Sequence, residues 1–153
     1  MTPAQPAPLR VVPDPNVLVS AFISDEGFAA GIVRAWLRDA LEFVVSPQLL
    51  AELEEVLLRR KFRRYGSEAS VAEHLDKFKA ATVVSDAPAR RIVPHDEKDD
   101  YLMVLGQTAG ADYVLSGDPH LTTLQDADPP VLTPRALYEL LVARGLAPAR
   151  AMM

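Results

Sequence analysis

The chain contains no cysteine. Disulfides, zinc–thiolate sites and thiol nucleophiles are therefore excluded, and a cytoplasmic setting is the expectation. It has no apolar run near the roughly 20 residues that a bilayer-crossing helix needs, so no membrane association is expected. Its opening, "MTPAQPAPLR", lacks the basic and apolar regions of a secretory leader. Positive charge is not in excess either. Sixteen Lys and Arg stand against 21 Asp and Glu, a formal charge of −5, which argues against a protein whose main task is to coat nucleic acid. That balance is compatible with an enzyme that gathers acids around a metal. Nor is there a serine–histidine–aspartate pattern, so nucleophilic side-chain catalysis has no support.

The 153 residues are 49% apolar and 24% charged, enough for one globular domain with a true core. Short β-type runs alternate with longer helical ones. "LRVV" (9–12), "FVV" (43–45), "TVVS" (82–85), "DYVLSGD" (112–118) and "PVLT" (130–133) read as strands or strand ends. Helices are expected over 29–42, 46–62, 70–81, 99–111 and 134–145, from apolar residues at helical spacing. Ser46 followed by Pro47 is a helix start, and Gly110 and Gly145 are helix ends. Such alternation builds βαβ units. The expected fold is an α/β, three-layer α/β/α sandwich with a mostly parallel central sheet. The domain is expected over 9–145, with a disordered lead-in at 1–8 and a flexible tail at 146–153.

In open parallel sheets, ligands bind outside the carboxyl ends of the strands. Asp14 follows the first strand and Asp118 the fourth, each where an aspartate also serves as ordinary turn punctuation. On the 46–62 helix, Glu52 and Glu54 lie at opposite edges of a Leu/Val stripe while Glu55 faces solvent, and spacing does not choose between Glu52 and Glu54. Asp99 and Asp100 open the next helix, where one acid suffices to compensate the helix dipole. Four carboxylates from four segments at one end of a sheet would repel each other without a cation. With one, they form an all-oxygen site for a hard divalent ion such as Mg²⁺ or Mn²⁺.

The order of motifs resembles that of PIN-domain ribonucleases, of the type that serve as toxins in bacterial toxin–antitoxin pairs (VapC-like in the broad sense). "VVPDPNVLVSAF" is similar to the family's opening D-T-N-V-L-[IV]-S-A segment. "VVSPQLLAELEEVLLRRKF" is similar to its S-P-x-L-L-x-E-L-x-x-V-L-x-R-x-K-F helix. "DEKDDYLMVLGQTAGADYVLSGDPHL" resembles its D-x-x-D-D-x-F-L segment and the following G-A-D-Y-[IV]-[VL]-[ST]-G-D-x-x-L. "VLTPRALYELL" resembles its closing helix start. The resemblance spans 9–141. It implies that Asp14, Glu52, Asp100 and Asp118 bind one or two Mg²⁺ or Mn²⁺ ions and catalyse phosphodiester hydrolysis. It implies that Asn16, Ser116 and Asp99 support them. Two positions depart from the family: Pro15 replaces a small polar residue, removing a hydroxyl and an N–H that would orient Asp14, and His120 stands where many relatives carry an aspartate.

On this reading the chain is a metal-dependent endoribonuclease that cleaves single-stranded RNA by metal-activated water. The products would be 5′-phosphate and 3′-hydroxyl ends. The basic stretch Arg59, Arg60, Lys61, Arg63, Arg64 and Tyr65 is the expected RNA guide, with Phe62 or Tyr65 stacking on a base. The same stretch also suits a solvated helix end complementing the dipole. An antitoxin protein and a homodimer are the partners implied by analogy. The rival reading is a catalytically weak or inactive PIN-like scaffold that binds RNA or a protein. A phosphoacceptor receiver domain is disfavoured, because no late strand ends in lysine and Lys98 is the last in the chain.

Overall fold

The computed structural model describes residues 8–88, 92–93 and 100–150. The expected lead-in at 1–7, Asp99, and the last three tail residues lie outside the described residues. Five strands, β1 (Leu9–Pro13), β2 (Leu41–Val45), β3 (Thr82–Val83), β4 (Tyr113–Leu115) and β5 (Val131–Leu132), form one sheet in the order β3-β2-β1-β4-β5. Every pairing is parallel. The sheet is therefore wholly rather than mostly parallel, and helices cover both sides. Val11, Val12, Phe43, Val44 and Val45 are fully buried. Consecutive residues of a strand point to opposite faces, so unbroken apolar runs are what a sheet covered on both sides requires.

Seven α-helices are described: α1 (Pro15–Ile23), α2 (Phe28–Leu37), α3 (Pro47–Leu57), α4 (Glu68–Lys79), α5 (Asp100–Ala109), α6 (Pro119–Thr122) and α7 (Pro134–Ala143). α2 packs on α1 and α7, α3 on α1 and α4, and α5 on β1 and β4. Trp36 of α2 stacks on Phe43 of β2 and Phe78 of α4, with ring centroids 5.1 and 5.4 Å away. Large flat side chains thus join two helices to the middle of the sheet. No single helix among the described residues is long and apolar enough to cross a membrane.

Several boundaries differ from the sequence expectation, and the larger differences have local reasons. The 29–42 helix stops at Leu37, and β2 starts at Leu41. Asp39 adopts a left-handed conformation (φ 63°). Its N–H bonds Trp36 O, and the Ala40 N–H bonds Ala35 O. This is the double hydrogen bond that closes a helix when the residue after the cap turns left-handed. The 46–62 helix stops at Leu57, and Arg60–Tyr65 forms a separate 3-10 turn. From Arg60 on, the basic stretch therefore forms a turn of its own beyond the end of α3. The segment after Asp14, to which no element is assigned from the sequence, is the helix α1. Ser46 caps α3 as expected, accepting from Leu49 N–H at 3.2 Å, with Pro47 in the first turn.

Residues 146–150, expected as part of a tail, lie against α2 and α7. The Tyr138 hydroxyl donates to Pro148 O at 2.6 Å, and the Arg150 guanidinium sits 4.3 Å from the centre of the Phe28 ring. The Arg150 side chain also donates to Glu26 O at 2.6 Å.

Candidate functional site

In this strand order the direction of the chain's travel across the sheet reverses between β1 and β4. At such a switch point the connections leave on opposite sides and open a crevice at the carboxyl ends of the two strands. Asp14 follows β1 directly, and Ser116, Gly117 and Asp118 follow β4.

The two aspartates are held by the same local device. Asp14 caps α1, Pro15 takes the first helical position, and Asn16 N–H donates to Asp14 Oδ1 at 3.0 Å. Asp118 caps α6, Pro119 takes its first position, and His120 N–H donates to Asp118 Oδ1 at 2.9 Å. Proline suits that place because its fixed φ matches a helix and its missing N–H would have no partner inside the helix. This changes the meaning of Pro15. The orienting hydrogen bond on Asp14 is present, supplied by Asn16 instead of residue 15.

Ser116 joins the two acids. It is fully buried. Its hydroxyl donates to Asp14 Oδ2 at 2.7 Å and accepts from Asp118 N–H at 3.0 Å. A single hydroxyl thereby sets the far oxygen of one carboxylate and the backbone of the other. The Asp14 N–H bonds Leu115 O at 2.8 Å, which ties the same two strand ends through the main chain. Asp14 is 3% exposed, whereas the Asp118 side chain is 27% exposed. Together with Asn16, Ser20, Gly117 and Pro119 they line a groove of about 350 Å³. Its donors are all hard oxygens apart from the Asn16 amide nitrogen, a set that suits Mg²⁺ or Mn²⁺ rather than a soft metal. The residues of this groove therefore fit a divalent ion in chemistry.

The other two expected ligands are placed differently. Asp100, the first residue of α5, is 3% exposed, and its Oδ1 accepts from Ile92 N–H at 2.9 Å and Val93 N–H at 2.7 Å. Glu52 is half-buried on α3, whereas Glu54 and Glu55 are exposed, so of the three α3 glutamates it alone turns inward. It lines a second groove of about 340 Å³ with Gln48, Ala51, Glu55 and Tyr101, and accepts a hydrogen bond from the Tyr101 hydroxyl. Among the described residues, no three acidic or histidine side chains come together to hold one ion. Among the described residues, the groove that Asp14 and Asp118 share is not lined by Glu52 or Asp100. Backbone amides hold Asp100, and a tyrosine holds Glu52.

Tyr101 is not among the expected site residues. The only signal for it in the sequence is a hydroxyl-bearing aromatic immediately after Asp100. His120 is exposed, and its ring Nδ1 lies 3.9 Å from Asp118 Oδ1.

The basic segment is exposed at Arg59, Arg60, Lys61, Arg63, Arg64 and Tyr65. Arg59 pairs with Glu55 at 3.6 Å. The Arg64 side chain lies over the Tyr65 ring at 4.8 Å and donates to its hydroxyl at 2.7 Å. Gly66, at the end of the turn, sits so close to Phe22 of α1 that a Cβ there would come within 2.6 Å of the ring. The basic turn therefore rests on the helix that Asp14 caps.

Residues 10–120 match the sequence profile of the PIN domain. The uncharacterized protein MJ1680 of Methanocaldococcus jannaschii is 28% identical over 119 residues, 77% of this chain and 76% of that protein. The crystal structure of PAE2754 from Pyrobaculum aerophilum has the same fold, with a TM-score of 0.61 at 17% identity, covering 90% of this chain and 97% of that one.

Proposed function

The chain belongs to the PIN domain family, whose members are generally nucleases that use divalent metal ions, and on that premise we propose that it is a metal-dependent endoribonuclease acting on single-stranded RNA. The observation that carries this reading is the pair of Asp-Pro caps at the switch point, with Ser116 bridging Asp14 to Asp118. Two carboxylates fixed in this way at a crevice cost electrostatic energy that a cation would offset. Asp14 and Asp118 are the proposed inner ligands of Mg²⁺ or Mn²⁺. Glu52 and Asp100 are the proposed further ligands, Asp99 is proposed on resemblance alone to support them, and Asn16 and Ser116 are the residues that aim the acids. Such an ion, when bound, acidifies water and neutralises charge developing at the scissile phosphate. The chain's own groups would set where it sits. The cations at Arg60, Lys61, Arg63 and Arg64 would track the RNA backbone, and Tyr65 offers a face for an unpaired base.

We further assign the chain, on motif resemblance, to the toxin side of a bacterial toxin–antitoxin pair, cytoplasmic and homodimeric, with an antitoxin protein as partner. The second reading is a PIN scaffold that binds RNA or protein without cleaving it. It is favoured by the absence, among the described residues, of three acidic or histidine side chains grouped to hold one ion. One experiment decides between them. End-labelled single-stranded RNA is incubated with the purified protein, with Mn²⁺ or with EDTA, alongside Asp14→Asn and Asp118→Asn. Cleavage that needs Mn²⁺ and is lost in both variants is the expected result. RNA left intact by the wild type at micromolar enzyme and millimolar Mn²⁺ would leave only the scaffold.

A further inference from the structure

We propose that Tyr101 is a latch on Glu52, holding this carboxylate out of the Asp14–Asp118 groove until a divalent ion draws it in. The inference rests on the metal-site reading above and deepens it. Tyr101 stands at a position that the resembled D-D-x-F-L pattern leaves open, so the latch belongs to this chain.

The ring of Tyr101 is 7% exposed and sits on α5, immediately after Asp100. A buried ring on a packed helix fixes its hydroxyl in space. That hydroxyl donates to Glu52 Oε2, across 49 residues of sequence. Glu52 is half-buried and belongs to the groove with Gln48, Ala51 and Glu55, while the groove shared by Asp14 and Asp118 does not include it. In the proposed switch the carboxylate turns about its side-chain bonds to join those aspartates and gives up the tyrosine. Two arrangements of one glutamate therefore compete, with Tyr101 stabilising the metal-free one. A ligand binding only the less populated arrangement loses affinity by the fraction that is competent. A hydrogen bond to a charged group is strong enough to bias such a pair of states by about tenfold.

The test measures Mn²⁺ binding to the full chain directly, by titration with electron paramagnetic resonance of the free ion, in wild type, Tyr101→Phe, Glu52→Gln and the double variant. Phenylalanine keeps the ring and its packing and removes only the donor. Tyr101→Phe should bind Mn²⁺ about tenfold more tightly than wild type. The gain should vanish in the Glu52→Gln background, where the ligand is lost. Binding by Tyr101→Phe that equals or falls below that of wild type would overturn the latch while leaving the metal site standing. Absence of Mn²⁺ binding in all four folded proteins would overturn the metal-site reading itself, and the latch with it. A gain that persists in the double variant would assign the effect to something other than Glu52 and would equally refute the proposal.

Discussion

Removing the Ser116 hydroxyl is the sharpest test of how the crevice is built. Ser116→Ala deletes one oxygen from a fully buried position and leaves the backbone and the space around it otherwise unchanged. Two hydrogen bonds go with it. The 2.7 Å bond to Asp14 Oδ2 is charge-assisted, and the 3.0 Å bond from Asp118 N–H is neutral. Bonds to charged groups contribute about 1.5–3 kcal/mol net and neutral ones about 0.5–1.5 kcal/mol. Water entering from the adjoining groove recovers part of both. The expected loss is therefore about 2 kcal/mol, seen as a lower urea midpoint at unchanged slope. For a chain of this size that corresponds to a fall in Tm of about 4–8 °C. Mn²⁺-dependent cleavage should fall further than stability, because Asp14 loses the donor that aims its second oxygen. Ser116→Thr, which keeps the hydroxyl, should recover part of the cleavage if the added methyl is accommodated. A Ser116→Ala protein within about 0.5 kcal/mol of wild type would refute the idea that this hydroxyl couples the two strand ends.

Pro15→Thr restores the polar residue that the resembled motif carries. Since Asn16 N–H already orients Asp14, cleavage should change less than about twofold, while stability falls by about 0.4–1 kcal/mol as the unfolded chain gains freedom. A large rise in activity would show that the proline does impair the site. His74 is buried between Phe22 and Phe78, and its Nε2 lies 3.0 Å from Leu18 O. Burial chiefly, with repulsion from Lys77, holds its pKa below the ordinary 6.5, against the opposing effect of the Leu18 carbonyl. The unfolded chain then binds the proton more readily, so this contribution to stability is complete above pH 6.5 and shrinks as the pH falls below it. Wild type should lose more urea resistance between pH 7.5 and 5.5 than His74→Gln does, and equal losses would remove His74 as the cause. Replacing Arg60, Lys61, Arg63 and Arg64 together with alanine should weaken RNA binding and flatten its salt dependence by roughly 0.7 for each phosphate no longer neutralised. An unchanged slope would direct the search for the RNA path to another face.

Much of the fold is legible in the sequence because the strands are short, mostly apolar and separated by amphipathic helices. α1 is the exception. "PNVLVSAFI" is apolar nearly all round, so it shows no helical period, and its position over a capped aspartate is what makes it a helix. The end of α2 is hidden because aspartate, rather than glycine, takes the left-handed position at 39. α6 is only four residues long and offers no periodicity to read. In the site, Asp14 and Asp118 are legible because each depends on its own strand end and following proline. Glu52 and Asp100 are partly legible. Their positions on helices follow from spacing, but what holds their carboxylates comes from Tyr101 and from the amides at 92 and 93, partners that no local pattern announces.

The paired Asp-Pro caps carry a consequence for how such a site changes over time. Each aspartate takes its aim from the proline that follows it and from the amide one residue further on. Apart from what Ser116 adds, the instruction for aiming each acid is thus written in three consecutive residues at the end of a parallel strand. The same three-residue unit, transplanted to the carboxyl end of a strand in an unrelated parallel sheet, should point a carboxylate into that sheet's crevice as it does here.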